Sequence, residues 1–135
     1  MTHILLIGTD LPLLEGLAQT FASLGFNPVV AQSLNEGREL AAQHLPLVAI
    51  VSRVLATTGA EALTIPLAPG GARLLYRSVG SPAIPFSHAV QRSVLADLTL
   101  PLERNRLVAL VQHVEQRARV TGHSDDPSSH PAAPR

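Results

Sequence analysis

The chain has 135 residues, enough for one domain with a substantial core. Apolar residues make up 46 % but aromatics only 3 %, so Leu, Val, Ile and Ala must fill that core. Formal charge sums to zero, which argues against a nucleic-acid or anionic-membrane partner, and the lack of cysteine excludes disulfides and thiolate metal sites and fits a cytoplasmic protein.

Ile4-Leu-Leu-Ile7 is a short continuous apolar run, the pattern of a buried parallel strand. Thr9-Asp10 interrupts it, so no signal peptide is visible, and no later run approaches the ~20 residues that span a bilayer. Asp10 is placed to N-cap a helix with Pro12 in its first turn. Leu14, Leu17, Phe21 and Leu24 recur at helical spacing, and Gly25 suits a left-handed cap. Pro28 to Ala31 reads as a second strand. Ser33 and Glu36 form a capping box that opens a helix to about Gln43. Leu47 to Val51 is a third strand, ending at Ser52. Thr57 to Leu63 suits only a short helix, because Pro66, Pro69, Gly70 and Gly71 follow. Arg73 to Arg77 reads as a fourth strand, Phe86 to Val94 as a helix and Leu95 to Thr99 as a fifth strand. A last helix is predicted from about Glu103 to Arg119, with Leu107, Leu110, Val111, Val114 and Ala118 on one face. Residues 1–120 then form the domain, and the Ser-, Asp- and Pro-rich residues 121–135 a disordered tail.

Strands alternating with helices imply an α/β fold with a parallel sheet covered on both faces. Right-handed crossovers favour a flavodoxin-like, doubly wound five-stranded sheet of order 2-1-3-4-5, with a weak or degraded third helix. The functional crevice of such a sheet lies beyond the carboxyl ends of strands one and three, at Thr9-Asp10 and Ser52.

Ile4-Leu-Leu-Ile-Gly-Thr-Asp-Leu-Pro12, Leu24-Gly-Phe26, Leu47-Val-Ala-Ile-Val-Ser52 and Ala96-Asp-Leu-Thr-Leu-Pro101 occur in the order and spacing of a response-regulator receiver domain, which the chain resembles from Met1 to about Arg119. The resemblance aligns the family's pair of metal-binding acids with Thr9 and Asp10, so one acid survives. It aligns the phosphoacceptor aspartate with Ser52, the Ser/Thr after strand four with Ser78, and the Lys-Pro step after strand five with Leu100-Pro101. The family's aromatic switch residue falls near Leu98. A degenerate phosphorylation pocket is therefore expected at Thr9, Asp10, Ser52, Ser78, Leu100 and Pro101. Asp10 beside a neutral threonine and serine is a poor Mg²⁺ ligand set, and leucine cannot offset phosphate charge.

Plainer readings compete at each position. Asp10 is accounted for as a helix cap. Ser52 lies in Val51-Ser52-Arg53, outside any G-x-S-x-G elbow, so no hydrolase and no catalytic residue is assigned. The six histidines share no ligand-type spacing, so neither metal nor cofactor is expected. The glycine pair after Pro69 leads into a strand and reads as a turn.

The resemblance thus implies an atypical stand-alone receiver domain without its phosphoacceptor, acting as a phosphorylation-independent protein-interaction module in bacterial signalling. The partner would be another signalling or regulatory protein, or a second copy in a homodimer through the family's fourth helix, fifth strand and fifth helix. Phe86, Val90, Leu98, Leu102, Arg104 and Arg106 are the candidate surface. The alternative is a small-ligand sensor using the crevice lined by Thr9, Ser52, Ser78 and Leu100.

Overall fold

Apolar side chains alternate between two buried faces along the strands, and this alternation organises the molecule. The structure is a computed structural model, and its described residues are 2–55, 64–78, 94, 96–100 and 102–124. In chain order the elements are β1 (His3–Ile7), α1 (Leu11–Ser23), β2 (Asn27–Ala31), α2 (Leu34–His44), β3 (Val48–Ser52), β4 (Ala72–Ser78), β5 (Ala96–Leu100) and α3 (Arg104–Ser124). The strands form one parallel sheet of order β2-β1-β3-β4-β5, as the sequence implies.

Ile4, Leu6, Val48, Ile50, Leu74, Tyr76, Leu98 and Leu100 point to one face and pack with Leu14, Leu17 and Phe21 of α1 and Leu107, Val111 and Val114 of α3. Leu5, Ile7, Ala49, Val51 and Leu75 point to the other, where Ala41 of α2 packs. Burial on both sides explains why β1 and β3 read as unbroken apolar runs. On α2 the approach is close: a methyl group on Gly37 would collide with Ile7 Cδ1.

The helix ends follow their residues. The Leu13 amide donates to Asp10 Oδ1 at 3.3 Å. At the far end of α1, Gly25 takes φ +94°. The Phe26 amide then donates to the Phe21 carbonyl at 3.0 Å and the Gly25 amide to Ala22 at 3.1 Å, a Schellman closure. The Phe21 and Phe26 rings meet edge to face with centroids 6.0 Å apart, sealing that turn. On α2 the Glu36 amide donates to Ser33 Oγ, while Glu36 Oε1 accepts from the Gln32 amide, one residue earlier than a standard capping box.

The last helix departs from expectation. It runs to Ser124, past the Arg119 at which its apolar face ends and into the segment expected as tail. Thr121, Gly122 and His123 are poor helix formers, so the extension is propagation from a packed helix. Residues 125–135 and the short helix expected at Thr57 to Leu63 lie outside the described residues, as does the one at Phe86 to Val94 apart from Val94. Among the described residues no helix is long and apolar enough to cross a membrane.

Candidate functional site

The carboxyl ends of β1 and β3 meet where the doubly wound topology predicts, but the crevice is filled. Tyr76 of β4 lies in register with Ser52 of β3, and alternation puts both side chains on the α1/α3 face. The Ser52 hydroxyl hydrogen-bonds the phenol oxygen. The ring continues past Ser52 to β1, where its hydroxyl rests against the backbone of Gly8: a Cβ on Gly8 would overlap Tyr76 Oη. Tyr76 is 2 % exposed and Ser52 5 %. Ser52 Oγ also accepts from the Val54 amide at 3.2 Å, which ties the chain leaving β3. Glycine at 8 and serine at 52 are the small residues this arrangement requires.

Electrostatics keep the phenol neutral. Burial raises its pKa above the usual tyrosine range; the Ser52 hydrogen bond opposes this, and the nearby Asp10 carboxylate adds to it. A protonated tyrosine under a carboxylate is a structural plug without an ionised nucleophile beside it.

The described members of the expected pocket differ in their exposure. Thr9 and Asp10 are exposed at the top of β1 and Ser78 is exposed at the end of β4. Ser52 is beneath Tyr76. Leu100 corrects the expectation: it is 0 % exposed, inside the apolar core that also holds Leu98 and Leu107, and does not line a crevice. Pro101 lies outside the described residues. Tyr76, absent from the sequence-derived set, is the group that joins β1, β3 and β4.

The expected interaction surface is corrected at one residue as well. Leu98 is 0 % exposed, so it leaves no apolar area at the sheet edge. Leu102 is 76 % exposed, immediately before α3. Arg104 donates to Thr20 Oγ1 at 2.6 Å and ties α3 to α1, while Arg106 pairs with Glu103 at 2.9 Å. Both arginines thus have partners within the chain. Phe86 and Val90 lie outside the described residues. Glu103 itself braces the β5–α3 turn: its Oε1 accepts from the Thr99 amide at 2.7 Å, and this bond, with Arg106, holds the carboxyl below its usual pKa.

At the amino ends of the strands, His3 and His44 stack with ring centroids 4.9 Å apart. Burial, then His44, then the amino terminus lower the His3 pKa below 6.5. The unfolded chain therefore takes up this proton more readily than the folded one. His3 contributes its full stability above pH 6.5 and loses it as pH falls below that value. Urea midpoints at pH 7.5 and 5.5 should accordingly fall more for the wild type than for His3→Gln. Equal falls would show that the pair does not couple to folding. The Glu103 carboxyl acts in a separate window, losing its contribution only as pH falls below its ordinary value of 4.5.

Solved structures similar to this chain point to one fold. The chain superposes on a two-component response regulator from Clostridium difficile with a TM-score of 0.72 and 16 % identity, covering 87 % of this chain and 98 % of that one. The signal receiver domain of a putative LuxO repressor protein from Vibrio parahaemolyticus gives 0.72 and 14 %, covering 93 % and 98 %. NtrX from Brucella abortus, crystallised with ADP, gives 0.72 and 12 %; there the match takes 99 % of this chain but 31 % of the other. No protein-family profile matches the sequence, and no curated protein is significantly similar to it. The fold is that of a CheY-like receiver domain.

Proposed function

We propose that this chain is a degenerate receiver domain that works in the cytoplasm as a phosphorylation-independent protein-interaction module of two-component-type signalling. The observation that carries this reading is Tyr76. Its phenol occupies the space between β1 and β3 in which the receiver fold does its phosphate chemistry, and position 52 beneath it is a serine. A serine at 5 % exposure, hydrogen-bonded to a neutral phenol, is a poorly reachable and unactivated phosphoacceptor. The filled crevice equally weighs against a small ligand there.

Incubation with acetyl phosphate and Mg²⁺, followed by intact mass measurement, should give no phosphoryl adduct. An adduct on residue 52 would sink the proposal. The working surface is proposed around Leu102 and Arg106 at the start of α3, where an exposed leucine adjoins an exposed charge pair. Combining Leu102→Asp with Arg106→Glu should abolish association with a cognate signalling partner, or with a second copy. The melting temperature should stay within a few degrees, because exposed substitutions away from the core cost about 0.5 kcal/mol or less. Unaltered association in the folded variant would place the surface elsewhere.

A further inference from the structure

The end of the sheet opposite Tyr76 holds an open groove of about 430 Å³, within the range of small-molecule sites. It lies between the start of β1, the end of α2 and the last turns of α3. Leu47, Ala68 and Ala118 give it an apolar floor. The stacked imidazoles of His3 and His44 form one wall. Glu115 and Arg119, one helical turn apart, form the opposite edge and pair at 3.3 Å.

We propose that this groove binds a small, uncharged, planar heteroaromatic molecule with adjacent hydrogen-bond donor and acceptor groups on one edge, a purine-type base being the chemical class. The proposal is independent of the interaction reading above. Three observations carry it. First, the two imidazoles are already stacked, with interplanar angle 29°, and His44 is exposed, so a third flat ring can extend the stack. Second, the polar edge offers an acceptor and a donor together. Glu115 Oε2 accepts from Thr2 Oγ1 at 3.5 Å and from Arg119, and a carboxylate has acceptor capacity for a further ring N–H or exocyclic amine. The guanidinium beside it can donate to a ring nitrogen or carbonyl. Because these charges are opposite, the edge favours a neutral ligand over an anion.

The third observation is the groove's rim. Leu45 ends α2 at φ 45°, in the left-handed region that disfavours side chains with a Cβ, and its side chain is 49 % exposed. An exposed leucine held in a strained conformation beside an apolar floor is a feature that ligand sites exhibit. Burial keeps His3 deprotonated at neutral pH, so the wall presents a neutral ring and adds no cation that would select phosphate.

The test uses the full chain and histidine imidazole cross-peaks in carbon–proton NMR. Adenosine and guanosine are the probes; ribose and the zwitterion leucine are the controls. The expected result is saturable movement of the His3 and His44 peaks with at least one nucleoside, while His113, on the outer face of α3, does not move. Glu115→Gln should weaken that response at least tenfold, and His44→Ala should abolish it. Glu115→Gln keeps the side chain's size, so its result stands even if His44→Ala fails to fold. No movement up to millimolar nucleoside, equal movement with ribose or leucine, or undiminished binding to Glu115→Gln would each overturn the proposal.

Discussion

Tyr76→Ala should destabilise the domain by about 3–5 kcal/mol, the range for truncating a buried aromatic. The ring packs with both strands it crosses and is almost wholly buried, so little of the space can collapse. Tyr76→Phe should cost only about 1 kcal/mol, the worth of the hydrogen bond with Ser52. The sharper test is a double-mutant cycle with Gly8. Gly8→Ala alone should cost about 1–3 kcal/mol by overpacking, because the new methyl meets Tyr76 Oη. In the Tyr76→Phe background that oxygen is gone. The remaining neighbours, Tyr76 Cζ at 3.3 Å and Leu14 Cδ1 at 3.5 Å, are near ordinary contact, so Gly8→Ala should become nearly neutral. Additive effects in chemical denaturation would show that the phenol does not rest on Gly8.

Leu100→Lys should be at least as damaging, at about 4 kcal/mol or more. The resemblance to receiver domains implies a lysine at this position, yet the side chain here is 0 % exposed among leucines. Full burial lowers a lysine pKa by up to ~3–5 units, each equivalent to 1.36 kcal/mol. Leu100→Met, which keeps volume and polarity, should cost less than about 1.5 kcal/mol. Urea unfolding of both variants decides the matter. A lysine variant as stable as the methionine one would mean that residue 100 reaches solvent at the top of β5.

The helix caps were legible because they are local, and the sheet order because right-handed crossovers leave few topologies for alternating strands and helices. Ser33 and Glu36, Asp10 with Pro12, and Gly25 each act within one turn of chain, and the apolar runs of β1 and β3 need no partner to be recognised. Leu98 was misplaced because family likeness was given more weight than alternation. Leu98 and Leu100 flank Thr99, and that spacing alone puts both on one face, which the sheet turns inward. Tyr76 was missed for a different reason. Its parity with Ser52 is readable, but its reach to Gly8 crosses an intervening strand, a relation between three segments that no periodicity expresses. The His3–His44 stack joins residues brought together only by the crossover from β1 through α2. Helix α3 outran its apolar stripe because propagation beyond a packed segment needs no further burial.

The interlock of Gly8, Ser52 and Tyr76 also bears on which substitutions position 52 admits. Serine to aspartate at position 52 would install its carboxylate under a ring that closes it from solvent, beside Asp10. That step gains nothing while residue 76 remains large. A bulkier residue at position 8 likewise costs stability until the phenol is gone. Substitution at Tyr76 must therefore come first, and by itself it is costly, since it empties part of the core. The order of substitution is fixed, and its opening step leads downhill in stability. The three residues act together as a lock on position 52.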